Sequence, residues 1–140
     1  MSLIFEEKRE PTSEDIEAIL ASLVTSEVAA GRDASYLPYS VLLRDTPDGP
    51  IIGGLYGAAI FEWLFIQYVA VPLDRQGEGI GRQLMARAEA WARAQGLGGI
   101  WLDTFSFQAR PFYEKLGFSV FGEISEHPRG GTRYFLKKPL

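Results

Sequence analysis

The sequence predicts a single α/β (α+β) domain, and three observations carry that reading. Apolar runs of strand length alternate with segments of helical spacing along the chain. A loop holding three glycines at alternate positions, Gly77, Gly79 and Gly81, joins one apolar run to one helical pattern. The length, 140 residues, suits one hydrophobic core. Hydrophobic content of 46% and charged content of 23% are those of an ordinary globular protein.

The elements follow in order. Residues 3–8 read as a short first strand. Residues 11–15, Pro-Thr-Ser-Glu-Asp, form a helix start, with a hydroxyl cap followed by acids in the first turn. Ile16, Ile19, Leu20, Leu23 and Val24 then recur at helical spacing until Gly31 closes the segment. Residues 32–38 are expected to be irregular. Residues 39–44 alternate as a strand, and Thr46-Pro-Asp-Gly-Pro50 is a turn cluster. Residues 51–61 and 63–71 read as two strands joined by a tight hairpin at Glu62. From Gly79 a helix is expected, with Ile80, Leu84, Ala88 and Trp91 on its buried stripe and Glu89–Arg93 as an i,i+4 ion pair. Residues 99–105 form a buried central strand. A short helix begins at Pro111, which suits a first turn, and stops at Gly117. Strands near 118–123 and 132–137 complete the chain, and no internal repeat or domain boundary interrupts residues 1–140.

The glycine loop is the first functional signal. A strand–loop–helix junction leaves backbone N–H groups unpaired, with the positive end of a helix dipole behind them, and glycine lets a ligand approach the backbone. Such a junction suits phosphate or pyrophosphate; the alternative use is a plain tight turn. A Walker-type loop is excluded, because Gly81 is followed by Arg82-Gln83. The dinucleotide fingerprint fails too, because its sixth position, counted from Gly77, is Arg82.

What remains is Gln76-Gly77-Glu78-Gly79-Ile80-Gly81, which resembles the coenzyme A pyrophosphate loop of the GCN5-related N-acetyltransferase (GNAT) superfamily. About thirty residues on, Ala109-Arg-Pro-Phe-Tyr-Glu-Lys-Leu-Gly-Phe118 resembles the motif of the same superfamily that ends in Tyr-Glu-Lys-Leu-Gly-Phe. Residues 101–109, the His127-Pro-Arg-Gly loop and the Tyr134-Phe-Leu-Lys ending further resemble a bacterial subgroup of small acetyltransferases of unassigned acceptor. The resemblance implies an acyl-CoA N-acyltransferase fold: a central mixed, mostly antiparallel sheet flanked by helices. It is firm from about Tyr39 onward. The stretch between the first strand and Tyr39 has little room for the second helix that the superfamily often carries there, beside the acceptor cleft.

The resemblance also implies roles. Acetyl-CoA is the cosubstrate, attacked by an uncharged primary amine of a small molecule or protein. Backbone amides of Val69, Ala70 and Val71, freed by a bulge in residues 68–71, would stabilise the oxyanion. Gln76, Gly77, Gly79, Ile80, Gly81 and Arg82 would hold the pyrophosphate. Gln76 stands where the superfamily most often has arginine, leaving Arg75 or Arg82 to supply positive charge. Ser106, where many members have asparagine, and Phe112 join the cofactor-binding set. Tyr113 would protonate the leaving thiolate as general acid. Glu62 and Asp103 interrupt apolar strands and are the candidate bases. The hairpin position of Glu62 fits a solvated charge, whereas Asp103, inside a buried strand, needs a partner or a task. His127, in a Pro/Gly-rich loop, reads as a surface residue. Acyl-chain length would depend on room around Phe105, Phe107 and Phe112.

Composition trims the alternatives. With no cysteine, disulfides and thiolate chemistry are excluded, and with one histidine a histidine-rich metal centre is not expected. Neither a basic leader with a long apolar run nor a stretch of ~20 apolar residues is present, so cytoplasm is expected and a membrane partner is not. A net charge of −4 argues against nucleic acid and favours cationic substrates such as amines. The resemblance implies pairing through C-terminal strands, and residues 132–137, rich in Tyr134, Phe135 and Leu136, would be an apolar edge that pairs in a homodimer. A rival of a different class is a coenzyme-A-binding regulatory module without catalysis.

Overall fold

A computed structural model describes residues 2–32 and 35–140. Residues 33–34, within the segment expected to be irregular, lie outside the described residues. The chain forms two compact units, Met1–Ala34 and Ser35–Leu140.

The first unit is built on helix α1, Ser13–Ala29. Its start is a capping box: Asp15 N–H donates to Thr12 Oγ1 at 3.1 Å, and Thr12 N–H donates back to Asp15 Oδ2 at 2.7 Å. Lys8 also donates to Asp15 and, with Thr12, holds that carboxyl below the usual range. The helix stops in a Schellman turn. Gly31, at φ +78°, donates to Val28 O and Arg32 donates to Glu27 O. The strand expected at residues 3–8 does not form; Leu3, Ile4 and Phe5 are 83%, 93% and 90% exposed. β-propensity needs a neighbouring ladder, and this segment has none.

The second unit holds a six-stranded sheet: β1 Tyr36–Leu43, β2 Gly53–Ile60, β3 Trp63–Ala70, β4 Gly99–Phe105, β5 Ser119–Ser125 and β6 Thr132–Pro139. Helix α2, Ile80–Ala94, links β3 to β4, and helix α3, Arg110–Lys115, links β4 to β5. The strand order is β1-β2-β3-β4-β6-β5, and only β3–β4 is parallel. The expected mixed, mostly antiparallel sheet is therefore present.

Two expectations about strands are corrected. Residues 36–38 are strand, because Tyr36, Leu37 and Pro38 pair with Ile60, Ala59 and Ala58. Pro38 is tolerated there because β1 is an edge strand. β6, expected at an edge, is interior, with β4 on one side and β5 on the other; the free edges belong to β1 and β5. The β2–β3 hairpin closes over Phe61 and Glu62, with Phe61 at φ +56°.

Alternation divides the sheet into two faces. Leu55, Leu64, Ile66, Ile100, Leu102 and Leu136 form one core with Leu84, Met85, Ala88 and Ala92 of α2 and with Tyr113 and Phe118. The two alanines present no bulk, so α2 lies close on the strands. Within this unit both helices cover that face. The opposite face, left free by the helices of this unit, carries Phe65 stacked on Trp101 at 4.1 Å between centroids, and Tyr56 beside Tyr68 at 6.2 Å.

Candidate active site

The site begins where the parallel ladder ends. β3 and β4 pair from Trp63↔Gly99 to Ile66↔Leu102 and no further. Beyond that point Gln67–Ala70 and Asp103–Phe105 run on without pairing to each other, so a gap opens between adjacent strands. β3 also slips register against β2: Tyr56 faces Tyr68 while Gly57 faces Ile66, which makes Gln67 the extra residue of a bulge. The bulge thus lies one residue ahead of the segment expected to hold it. Gly57 permits it, because a Cβ there would overlap the Phe65 carbonyl oxygen. Val69 and Val71 pack against the core beside the gap.

The glycine loop follows directly. After β3 a short 3₁₀ turn, Leu73–Arg75, leads into Gln76, and Gly79 caps α2 in the left-handed conformation at φ 76°. The first helical bond runs from Gln83 N–H to Gly79 O, and among the described residues the amides from Gly77 through Arg82 meet no backbone acceptor. A Cβ on Gly77 or Gly79 would enter open space, whereas one on Gly81 would stand 3.2 Å from the Phe112 ring. The first two glycines therefore face outward at positive φ, and the third makes room for α3. Arg75 is held by Asp45 at 2.8 Å and Glu78 at 3.1 Å. Arg82 has no ion-pair partner among the described residues, which leaves its charge available at the helix start. Gln76 lies near its own strand, 3.5 Å from Val71 O.

Helix α3 brings Tyr113 to the same place. Phe112, under Gly81, meets the Tyr113 ring edge-on at 5.1 Å, and Tyr113 meets Phe118 edge-on at 6.0 Å. The Tyr113 ring is 8% exposed, and burial pushes its phenol up to about 12, with the Asp103 charge adding to the shift. Its hydroxyl has no partner within the chain among the described residues. It is not sealed in either, because no buried side-chain polar atom there lacks a partner. The hydroxyl accordingly reaches open space as a neutral donor.

On the free face the first β4 residue past the ladder is Asp103. Arg133 takes both its oxygens, Nε to Oδ1 at 3.0 Å and Nη2 to Oδ2 at 2.9 Å. The guanidinium also lies 5.6 Å from the Phe105 ring and 5.2 Å from that of Phe135, and its Nη1 is 3.4 Å from His127 Nε2. Because a guanidinium only donates, His127 Nε2 is the acceptor in that contact. His127, read as a surface residue, is exposed, and its ring meets Phe105 edge-on at 5.5 Å. Glu62 stands at the hairpin, at the opposite end of β3 from the gap. Ser106 Oγ accepts Thr132 N–H at 3.0 Å, so its oxygen is engaged while its proton remains to donate.

Three residues that sequence reasoning passed over organise this site. Thr104, 3% exposed, donates to Gln108 Oε1 at 3.3 Å and receives Ala109 N–H at 3.4 Å; Gln108 Oε1 also takes Phe105 N–H at 3.1 Å. This knot sets the turn that launches α3 and so places Tyr113. Arg133 is the third. A Thr and Gln four apart at a strand end are a detectable turn signal, whereas the Asp103–Arg133 pairing spans thirty residues and shows only in three dimensions. Among the described residues no group of three or more metal-binding side chains occurs, and no helix is long and apolar enough to cross a membrane.

Comparison with known proteins adds an independent line. The profile described as "Acetyltransferase (GNAT) family" matches residues 4–118. A blasticidin-S acetyltransferase from Streptomyces morookaense is 38% identical over 93 residues, covering 66% of this chain and 68% of that protein. The acetyltransferase Atu2258 of Agrobacterium fabrum is 31% identical over 121 residues, covering 86% and 88%. Among solved structures, an acetyltransferase from Agrobacterium tumefaciens superimposes with a TM-score of 0.91 at 29% identity, over 99% of this chain and 100% of that one.

Proposed function

The chain belongs to the GNAT acetyltransferase family and is an acetyltransferase; from that premise we propose that residues 1–140 act as one domain, moving the acetyl group of acetyl-CoA to a primary amine by direct attack. The observation that carries this reading is the contact between Gly81 and Phe112. Through it, a run of free amides at a helix start and a neutral tyrosine hydroxyl converge beside one strand gap.

The steps follow from the chemistry at each atom. The pyrophosphate lies on the amides of Gly77 through Arg82, with Arg82 supplying positive charge and Gln76 bordering the loop. Ser106 and Phe112 flank the cofactor. The thioester enters the gap, where those amides of the segment Val69, Ala70 and Val71 that point away from β2 would face the oxygen that gains charge. The amine nitrogen attacks the carbonyl carbon, the C–S bond breaks, and the thiolate receives a hydrogen bond and then a proton from the Tyr113 side. A phenol at about 12 donates against a thiol of roughly 8.5, so the hydroxyl stabilises the sulfur chiefly as a donor in the transition state. An alkylammonium with pKa around 10.4 must first lose a proton. Asp103, with both oxygens on Arg133, orients the arriving N–H, and water carries the proton away.

We place the reaction in the cytoplasm and assign the chain a homodimeric state, with β5 as the pairing edge. The test is free-thiol release from acetyl-CoA across a panel of primary amines, with blasticidin S included because a relative is named for it. Release with at least one amine is expected. Tight acetyl-CoA binding with no release across the panel would make the chain a coenzyme-A-binding module instead.

A further inference from the structure

The glycine loop is an anion cradle without net positive charge in its own side chains. Among residues 74–82 two carboxylates, Asp74 and Glu78, offset two arginines, Arg75 and Arg82. Attraction for a pyrophosphate therefore rests on the free amides, the dipole of α2 and the unpaired Arg82. Glu78 works against it. That residue stands between Gly77 at φ +86° and Gly79 at φ +76°, and chain connectivity keeps its carboxylate within about 10 Å of the amides on either side. A carboxylate only accepts hydrogen bonds and repels phosphate oxygens. Arg75 Nε donates to Glu78 Oε2 at 3.1 Å, while Arg75 Nη1 donates to Asp45 Oδ1 at 2.8 Å, on the β1–β2 connection. The Arg75 backbone is fixed as well, its N–H on Pro72 O at 2.9 Å in the 3₁₀ turn. Glu78 is thus drawn back toward that turn. Exposed ion pairs add little to stability, so what this one decides is where the charge of Glu78 is left.

We propose that Glu78 limits the affinity of the loop for coenzyme A, and that Arg75, anchored by Asp45, is a positioning residue that keeps the Glu78 carboxylate off the phosphate cradle. This rests on the acetyl-transfer reading above, in which the loop holds the pyrophosphate. The two arginines then have separate tasks. Arg82 meets the phosphates with its own charge, whereas Arg75 acts through Glu78. Acetyl-CoA and coenzyme A share the pyrophosphate, so Glu78 weakens both alike. Uniform weakening gives no selection between them, and it shortens the stay of the product after transfer.

Calorimetry with coenzyme A on the full chain tests it, using wild type, Glu78→Gln, Arg75→Gln and the double variant. One charge set against two phosphate charges at this range changes affinity about three- to tenfold at low salt. Glu78→Gln is expected to tighten binding by that factor, for coenzyme A and acetyl-CoA alike. Arg75→Gln is expected to weaken it about three- to tenfold, because the released carboxylate turns over the amides. In the double variant that loss should all but vanish, since Asp45 alone then neutralises Arg75 in the background, and affinity should stay within about twofold of Glu78→Gln. Salt at about 0.5 M should bring wild type and Glu78→Gln within about twofold of each other. Unchanged or weaker binding by Glu78→Gln overturns the proposal. So does an Arg75→Gln loss of equal size in both backgrounds, which would put Arg75 on the cofactor itself. A Glu78→Gln gain that salt leaves intact overturns it too, since the effect would then be conformational. Gly79→Val separates this role from the reading beneath it. If Gly79→Val weakens binding while Glu78→Gln changes nothing, only the role of Glu78 falls. If wild type takes up no coenzyme A, or Gly79→Val binds it as wild type does, the loop reading falls and this role with it.

Discussion

Tyr113 is the residue on which the chemistry turns, and removing one oxygen tests it. Tyr113→Phe keeps the edge-on contacts with Phe112 and Phe118 and deletes only the hydroxyl. General acid assistance is typically about 10²–10⁴-fold, so kcat should fall at least tenfold with acetyl-CoA affinity within about twofold. A kcat within twofold of wild type would show the ring to be packing alone. The acidity adds a second test. Burial raises the phenol from 10.0 to about 12, so the folded chain holds this proton more tightly than the unfolded chain does. The associated stability is complete below pH 10 and is lost as pH rises from 10 to 12. The phenolate absorbance of wild type minus Tyr113→Phe should therefore appear only near pH 12, and the activity profile below pH 10 should carry no limb from this group. Arg133 supports a further residue-scale expectation. Arg133→Leu strands the Asp103 carboxylate, whose side chain is 15% exposed. Breaking a fully buried pair costs about 3–5 kcal/mol, and the partial exposure here reduces that to about 1–3 kcal/mol. Urea unfolding reads the loss, and Asp103→Asn in the same chain should recover part of it.

At the scale of the element, the loop glycines divide by what a side chain would meet. Gly79 at φ +76° faces open space, so Gly79→Val both strains the left-handed cap, by about 1–2 kcal/mol, and places bulk where phosphate oxygens arrive. Calorimetry should show acetyl-CoA affinity down at least about tenfold in the folded variant; an unchanged affinity removes the loop from the binding site. Gly81→Ala acts elsewhere, pressing the Phe112 ring and through it Tyr113. Its effect belongs in kcat more than in affinity. The glycine spacing pointed to an anion loop because a free helix start and positive φ are local properties that the sequence states directly. That Gly81 serves packing was not legible, since the ring it accommodates comes about thirty residues later. The same division runs through the strands. The hairpin, the α2 stripe and the Glu89–Arg93 pair, present at 2.9 Å, are short-range patterns and were readable. Residues 3–8 have strand composition but no ladder, and residues 36–38 have a proline but gain one.

At the scale of the whole molecule, neighbour relations in the sheet decide what assembly can use. Segment 132–137 read as a pairing edge because it is apolar and the family often pairs through its C-terminal strands. In the fold it is threaded between β4 and β5, and Leu136 is fully buried. Order along a chain does not reveal order across a sheet when a strand inserts. The edge that remains at this end is β5, where Phe121 is 52% and Ile124 is 47% exposed. A register shift between Val120 and Gly122 turns Phe121 onto the free face, over which the Lys137 ammonium lies at 5.6 Å. An edge bearing two exposed apolar side chains is a hazard for a lone chain and a natural seam for a symmetric pair. Light scattering at micromolar concentration should accordingly give twice the mass of one chain. The double substitution Phe121→Glu with Ile124→Lys should reduce it to one, while acetyl-CoA affinity stays unchanged because β5 lies outside the strand gap. A wild-type mass of one chain rejects the dimer. A double mass that survives the two substitutions moves the seam to the other free edge, β1, where Tyr36–Leu43 presents its own unpaired side.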